Sequence, residues 1–111
     1  MSKDIIKNVK EMNCCLTLVC PKSLEERFID HLLGHPEWVN GFSGNPIEGH
    51  SRTEKLPTIM EQVRGRSHRI EIRSVMNIDD AHALIAHLKR EESNPDIAYW
   101  ITPVIEFGRL V

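Results

Sequence analysis

The chain has 111 residues, enough for about one domain with a single modest core. Hydrophobic residues make up 41% and charged residues 27%, a balance that excludes an intrinsically disordered chain. The formal net charge of -2 leaves no electrostatic footprint for nucleic acid, and no apolar run is long enough to span a bilayer, so neither is expected as a partner.

The opening stretch, MSKDIIKNVKEMN, carries charges throughout and lacks the apolar core of a secretion signal, so a cytoplasmic location is expected. There the three cysteines should be reduced, and their odd number fits no closed disulfide set. Residues 1–12 show no period and are expected to form an N-terminal tail ahead of a single domain over 13–111.

Cys14 to Cys20, CCLTLVC, is an apolar run of strand length stopped by Pro21. Ser23 opens SLEERFIDHLLGH, and Ser23 with Glu26 has the spacing of a capping box. Leu24, Phe28, Ile29, Leu32 and Leu33 recur at helical spacing, and Gly34 should end the helix in the left-handed conformation. Trp38 to Phe42 reads as a second strand, running into a segment interrupted by Gly41, Gly44, Pro46 and Gly49. Between Gly49 and Ser67 lies a connection far longer than a hairpin needs. Within it Leu56, Ile59, Met60 and Val63 repeat at helical spacing, as in a small helix packed on its own domain or an arm that docks on a partner.

His68 to Val75 alternates, with Ile70 and Ile72 facing one way and Arg69, Glu71 and Arg73 the other. Asn77 should cap the helix that follows, whose first turn holds Asp79 and Asp80 and whose end holds Lys89 and Arg90, the charge order that the helix dipole favours. Ala81, Leu84, Ile85 and Leu88 form its apolar stripe, Asn94-Pro95 breaks it, and a last strand begins at Ile97. The order strand, helix, strand, strand, helix, strand is that of an α+β ferredoxin-like βαββαβ sandwich, a four-stranded antiparallel sheet with two helices on one face. Its other face, carrying Thr17 and Val19, should be covered by further copies of the chain. Arg64, Arg66, Arg69 and Arg73 cluster, but Glu61 and Glu71 dilute the patch, which reads as a solvated or subunit-facing surface.

Val39, Gly41, Phe42, Gly49, His50, Glu61, Arg64, Gly65 and the run Arg69-Ile70-Glu71-Ile72 together resemble the PII family of signal proteins. Near the C-terminus Pro103, Val104, Glu106 and Arg109 are similar to that family's P-V-x-E-x-x-R. The nearest group is a small PII-like set of unknown function, often encoded beside heavy-metal efflux pumps. The resemblance implies a homotrimer with ligand clefts between subunits, the 49–67 loop as T-loop, and a transporter or efflux system as partner. It implies ligand-binding roles for Gly41, Phe42, Ser43, Gly44, Gly49 and Arg109. Glycines here let a ligand approach the backbone; a β-bulge turning the strand into the loop uses the same freedom. The chain departs from the family at Pro95, Asp96, Ile97 and Ala98, where PII proteins carry a phosphate-holding G-D-G-K. Proline has no amide proton to donate and alanine no charge, so ATP sensing of the usual kind is not implied.

Of the six histidines, His31 and His35 are separated by the end of a helix and His82 and His87 diverge on theirs, leaving His50 and His68, across the loop, as metal candidates. No cysteine has a base nearby in sequence and no nucleophile elbow is present, so enzyme activity is not expected. The reading is a regulatory or sensor protein that binds a small ligand or metal ion, its cofactor unknown. The alternatives are a metal-binding tolerance protein of CutA type and a ligand-free structural or interaction module.

Overall fold

A computed structural model describes residues 10–49 and 67–111. Strand β1 (Cys14–Pro21) leads through a 3-10 turn (Lys22–Leu24) into helix α1 (Glu25–Leu33); β2 (Ser43–Gly49) and β3 (Ser67–Met76) follow, then helix α2 (Ile78–Glu91) and β4 (Ala98–Pro103). The four strands form one sheet in the order β2-β3-β1-β4, every neighbouring pair antiparallel. This is the ferredoxin-like sandwich expected from the element order.

Strand β1 pairs on both sides, with Leu18 opposite Ile72 and Tyr99. That central place explains its unbroken apolar run, because both of its faces are out of water. Cys14, Leu16, Leu18 and Cys20 point to the helices and meet Ile70, Ile72 and Met76 of β3, Phe28 and Leu32 of α1, and the Ala81, Leu84, Ile85 and Leu88 stripe of α2. On the opposite face Thr17 and Val19 are also buried, in ladders between Arg73 and Trp100 and between Glu71 and Ala98. They therefore contribute nothing to an exposed apolar face. What is exposed is Trp100 at 45%, together with Ile105, Leu110 and Val111 beyond the last strand.

Three local expectations are corrected. Residues 38–42 are not a strand: they lie in the turn and loop after α1, where Val39 is buried and Trp38 and Phe42 pack against the core. Strand β2 begins only at Ser43, and Pro46 is accommodated because β2 is an edge strand paired with β3 alone. Secondly, Ser23 caps nothing, since the 3-10 turn intervenes and α1 has Leu24 at its N-cap without a side-chain hydrogen bond. Thirdly, Gly34 ends α1 in the right-handed region, at φ -75, so the left-handed stop is absent. Asn77 does cap α2: its side chain accepts from the Asp79 amide at 2.9 Å. Among the described residues no helix is long and apolar enough to cross a membrane.

Candidate functional site

The C-terminal segment after β4 folds back beside the loop after α1. Between them lies a cavity of 360 Å³, lined among the described residues by Lys10, Trp38, Asn40, Asp80, Phe107 and Arg109 together with their neighbours. The Lys10 ammonium donates to the Glu37 carbonyl at 2.7 Å and to Asp80 at 2.9 Å, which ties the chain before β1 to the start of α2. Its charge is thereby matched within the wall. Arg109 adds a guanidinium, a donor suited to carboxylate or phosphate, beside the aromatic surfaces of Trp38 and Phe107.

Arg109 thus stands close to the residues just before Gly41, but Gly41, Phe42, Ser43, Gly44 and Gly49 do not line that cavity. The Gly41 carbonyl accepts from the Ser74 hydroxyl at 2.6 Å, a bond that pins the loop to β3. Phe42 is half-buried against the core. Ser43 and Gly44 open β2 and Gly49 closes it. Neither Gly41 nor Gly44 has a left-handed backbone, and a Cβ at Gly41 would meet nothing within 4 Å among the described residues. Among the described residues, no turn or tight packing demands glycine at either position. His50 lies outside the described residues, and so do the 50–66 stretch and its apolar repeat of Leu56, Ile59, Met60 and Val63. His68 is exposed on β3, opposite Glu48.

Sequence spacing missed a second constellation. The turn after α1 brings His35 against α2, so that its Nε2 lies 3.3 Å from Nε2 of His87. The His35 ring stacks on Trp38 with centroids 4.6 Å apart, and Glu37 accepts at 3.0 Å from its Nδ1. That bond to His35 holds the Glu37 carboxyl below its usual range. His31 stands edge-on to His87 at 5.4 Å and is held through Nε2 by Glu92 at 2.7 Å, with Arg27 on the same carboxylate at 3.3 Å. No spacing rule connects positions 52 residues apart, so this pair could not be found from the sequence. Among the described residues, no three or more of His, Cys, Asp and Glu are grouped to hold a metal ion.

The cysteines are free thiols. Burial pushes the Cys20 thiol up to about 11, against the smaller opposing pull of Arg69, and burial likewise raises Cys14. Both stay protonated near neutrality and are poor nucleophiles.

A crystal structure of a family protein from Shewanella baltica OS155 superposes with a TM-score of 0.71 at 22% identity, covering 91% of this chain and 99% of that one. CPII from Thiomonas intermedia K12, a nitrogen regulatory PII-like protein bound to ADP, AMP and bicarbonate, gives 0.67 at 13% identity over 89% and 96%. CutA from Synechococcus elongatus PCC7942 gives 0.57 at 13% over 87% and 81%. At these identities the likenesses show the fold, which is PII-like. No curated protein matches the sequence. Residues 11–111 match the family described as "Protein of unknown function (DUF3240)", and over that span, from just before β1 to the C-terminus, the chain belongs to it.

Proposed function

We propose that this chain is a regulatory or sensor protein rather than an enzyme. In this reading it acts in the cytoplasm as a homotrimer, takes a small ligand or metal ion at clefts between subunits, and signals through the 49–67 loop, with a metal-transport system as partner. The observation that carries it is the likeness, over 89% of the chain, to a PII-like protein whose solved structure holds ADP, AMP and bicarbonate. The cavity at Arg109 supports it, because a guanidinium beside aromatic surfaces suits a small anionic ligand. The mechanism is a population shift, in which a ligand with different affinity for two loop arrangements favours one of them. Isothermal titration with ADP, AMP and bicarbonate tests the ligand class. Heat with any of them that disappears in Arg109→Ala supports the reading, and silence with all of them and with divalent cations removes it.

The CutA likeness keeps a metal-tolerance role as the second reading. It rests on His50 with His68. Its test is a His50→Ala variant, whose unchanged affinity for copper or zinc would end it.

A further inference from the structure

We propose that His35 and His87 form a two-imidazole chelate for a zinc-class divalent cation, at the junction of α1 and α2 within one protomer. Neither imidazole lines the Arg109 cavity, although their supports Glu37 and Trp38 do, and the site is separate from His50 and His68; it does not rest on either reading above. Its first ground is distance. Two imidazole nitrogens 3.3 Å apart, each at the usual zinc–nitrogen length of about 2.05 Å, subtend an angle of about 107° at the ion, close to tetrahedral. A square-planar ion would want them nearer, at about 2.9 Å.

The second ground is tautomer control. Glu37 accepts from Nδ1 of His35, so the proton sits there and the Nε2 lone pair faces His87. A carboxylate behind a ligating histidine is the support that orients metal-binding imidazoles and raises their basicity. Trp38, stacked on the same ring with planes 15° apart, restrains it from the other side. The His35 and His87 ring centres lie 4.4 Å apart, whereas two rings sharing one ion stand about 5 Å apart, so the His87 ring must turn outward slightly on binding. A linear N–H···N bond between the rings would hold their centres still farther apart, at about 5.5 Å.

His31 touches His87 edge-on, but Glu92 already holds its Nε2. With no group of three protein ligands among the described residues, water completes the coordination and the site is weak and exchangeable. The charged and titratable groups facing the pair are Glu37 on His35, and His31 with its Glu92 and Arg27 beside His87.

The test is titration of the full chain with zinc chloride at pH 7.5, followed by calorimetry and by the histidine imidazole NMR signals. Binding that perturbs the His35 and His87 signals, weakens at least tenfold in both His35→Gln and His87→Gln, and persists in His50→Gln and His68→Gln supports the site. The NMR readout on the parent protein stands even where one glutamine variant fails to fold. Zinc binding lost in His50→Gln or His68→Gln but kept in the other pair overturns the proposal. So does the absence of any zinc-dependent shift at His35 and His87, which leaves an ordinary hydrogen-bonded pair.

Discussion

Cys20 shows how burial, outweighing a nearby arginine, sets the chemistry of a residue. Its thiol pKa is near 11 in the folded chain against a reference of 9.0, so below pH 9 it is protonated in both states and contributes no pH dependence. Between pH 9 and 11 the unfolded chain loses this proton first and is favoured, and the native state loses up to about 3 kcal/mol before the effect levels off. Urea unfolding should therefore show stability falling over that window in the parent and less so in Cys20→Ala, after allowing for the lower starting stability of the variant. Phe28, 1% exposed on the core face of α1, should cost about 3–5 kcal/mol as Phe28→Ala in the same assay. Gly41 is the opposite case. None of the described residues stands within 4 Å of a Cβ there and the backbone is not left-handed, so Gly41→Ala should change stability by no more than about 0.5 kcal/mol. Any loss of ligand binding in that variant would then report close approach of a ligand and not damage to the fold.

At the scale of elements, the two helices begin differently. Helix α2 is held by Asn77, whose oxygen accepts from the Asp79 amide while its Nδ2 donates to the Glu11 carbonyl at 2.9 Å. Helix α1 enters through a 3-10 turn with no side-chain cap. Asn77→Ala should therefore cost about 1 kcal/mol and Ser23→Ala close to nothing, a contrast that denaturant midpoints with equal slopes would show. A comparable cost for Ser23→Ala would mean that the capping box forms in solution. The edge strand β2 carries Pro46, which lacks an amide proton, and Gly44, which lacks a side chain; both limit its value as a template for stray strands. On β3, Arg69 is buried and donates from Nη1 to the Asp96 carbonyl at 2.8 Å, tying the sheet to the turn before β4.

For the whole molecule, exposed apolar groups on the sheet face away from the helices and on the tail after β4 are the ones that could join copies; Leu33 on α1 and Tyr99 on the helix side of β4 are exposed as well. Trp100 sits on the sheet face away from the helices at 45% exposure, with Thr17 of β1 between it and Arg73, whose ion pair with Glu71 lies on the same face. Exposed tryptophan within a polar rim is the composition of an interface. If copies associate through this face, light scattering after size exclusion should give a multiple of 12.8 kDa for the parent and 12.8 kDa for Trp100→Asp, with circular dichroism unchanged. A parent that runs as a monomer at micromolar concentration would remove the homotrimer from the proposed function.

The sequence by itself determined what local physics can determine. The apolar run of Cys14 to Cys20, the 3.6-residue stripes of Phe28 with Leu32 and of Ala81 with Leu88, the alternation about Ile70 and Ile72, and the Asn77 cap each depend on neighbours a few residues away, and together they give the element order and hence the fold. The resemblance to PII proteins came from glycine and strand motifs that also lie within short windows. Residues 38–42 resemble a strand in sequence because Trp38, Val39 and Phe42 are apolar for the sake of the core, and burial does not require a strand. Only the tertiary structure decided that Thr17 and Val19 are covered within one protomer, that Arg109 returns to Trp38, and that His35 meets His87. Those contacts join residues separated by tens of positions, and no local periodicity encodes where two packed elements will touch.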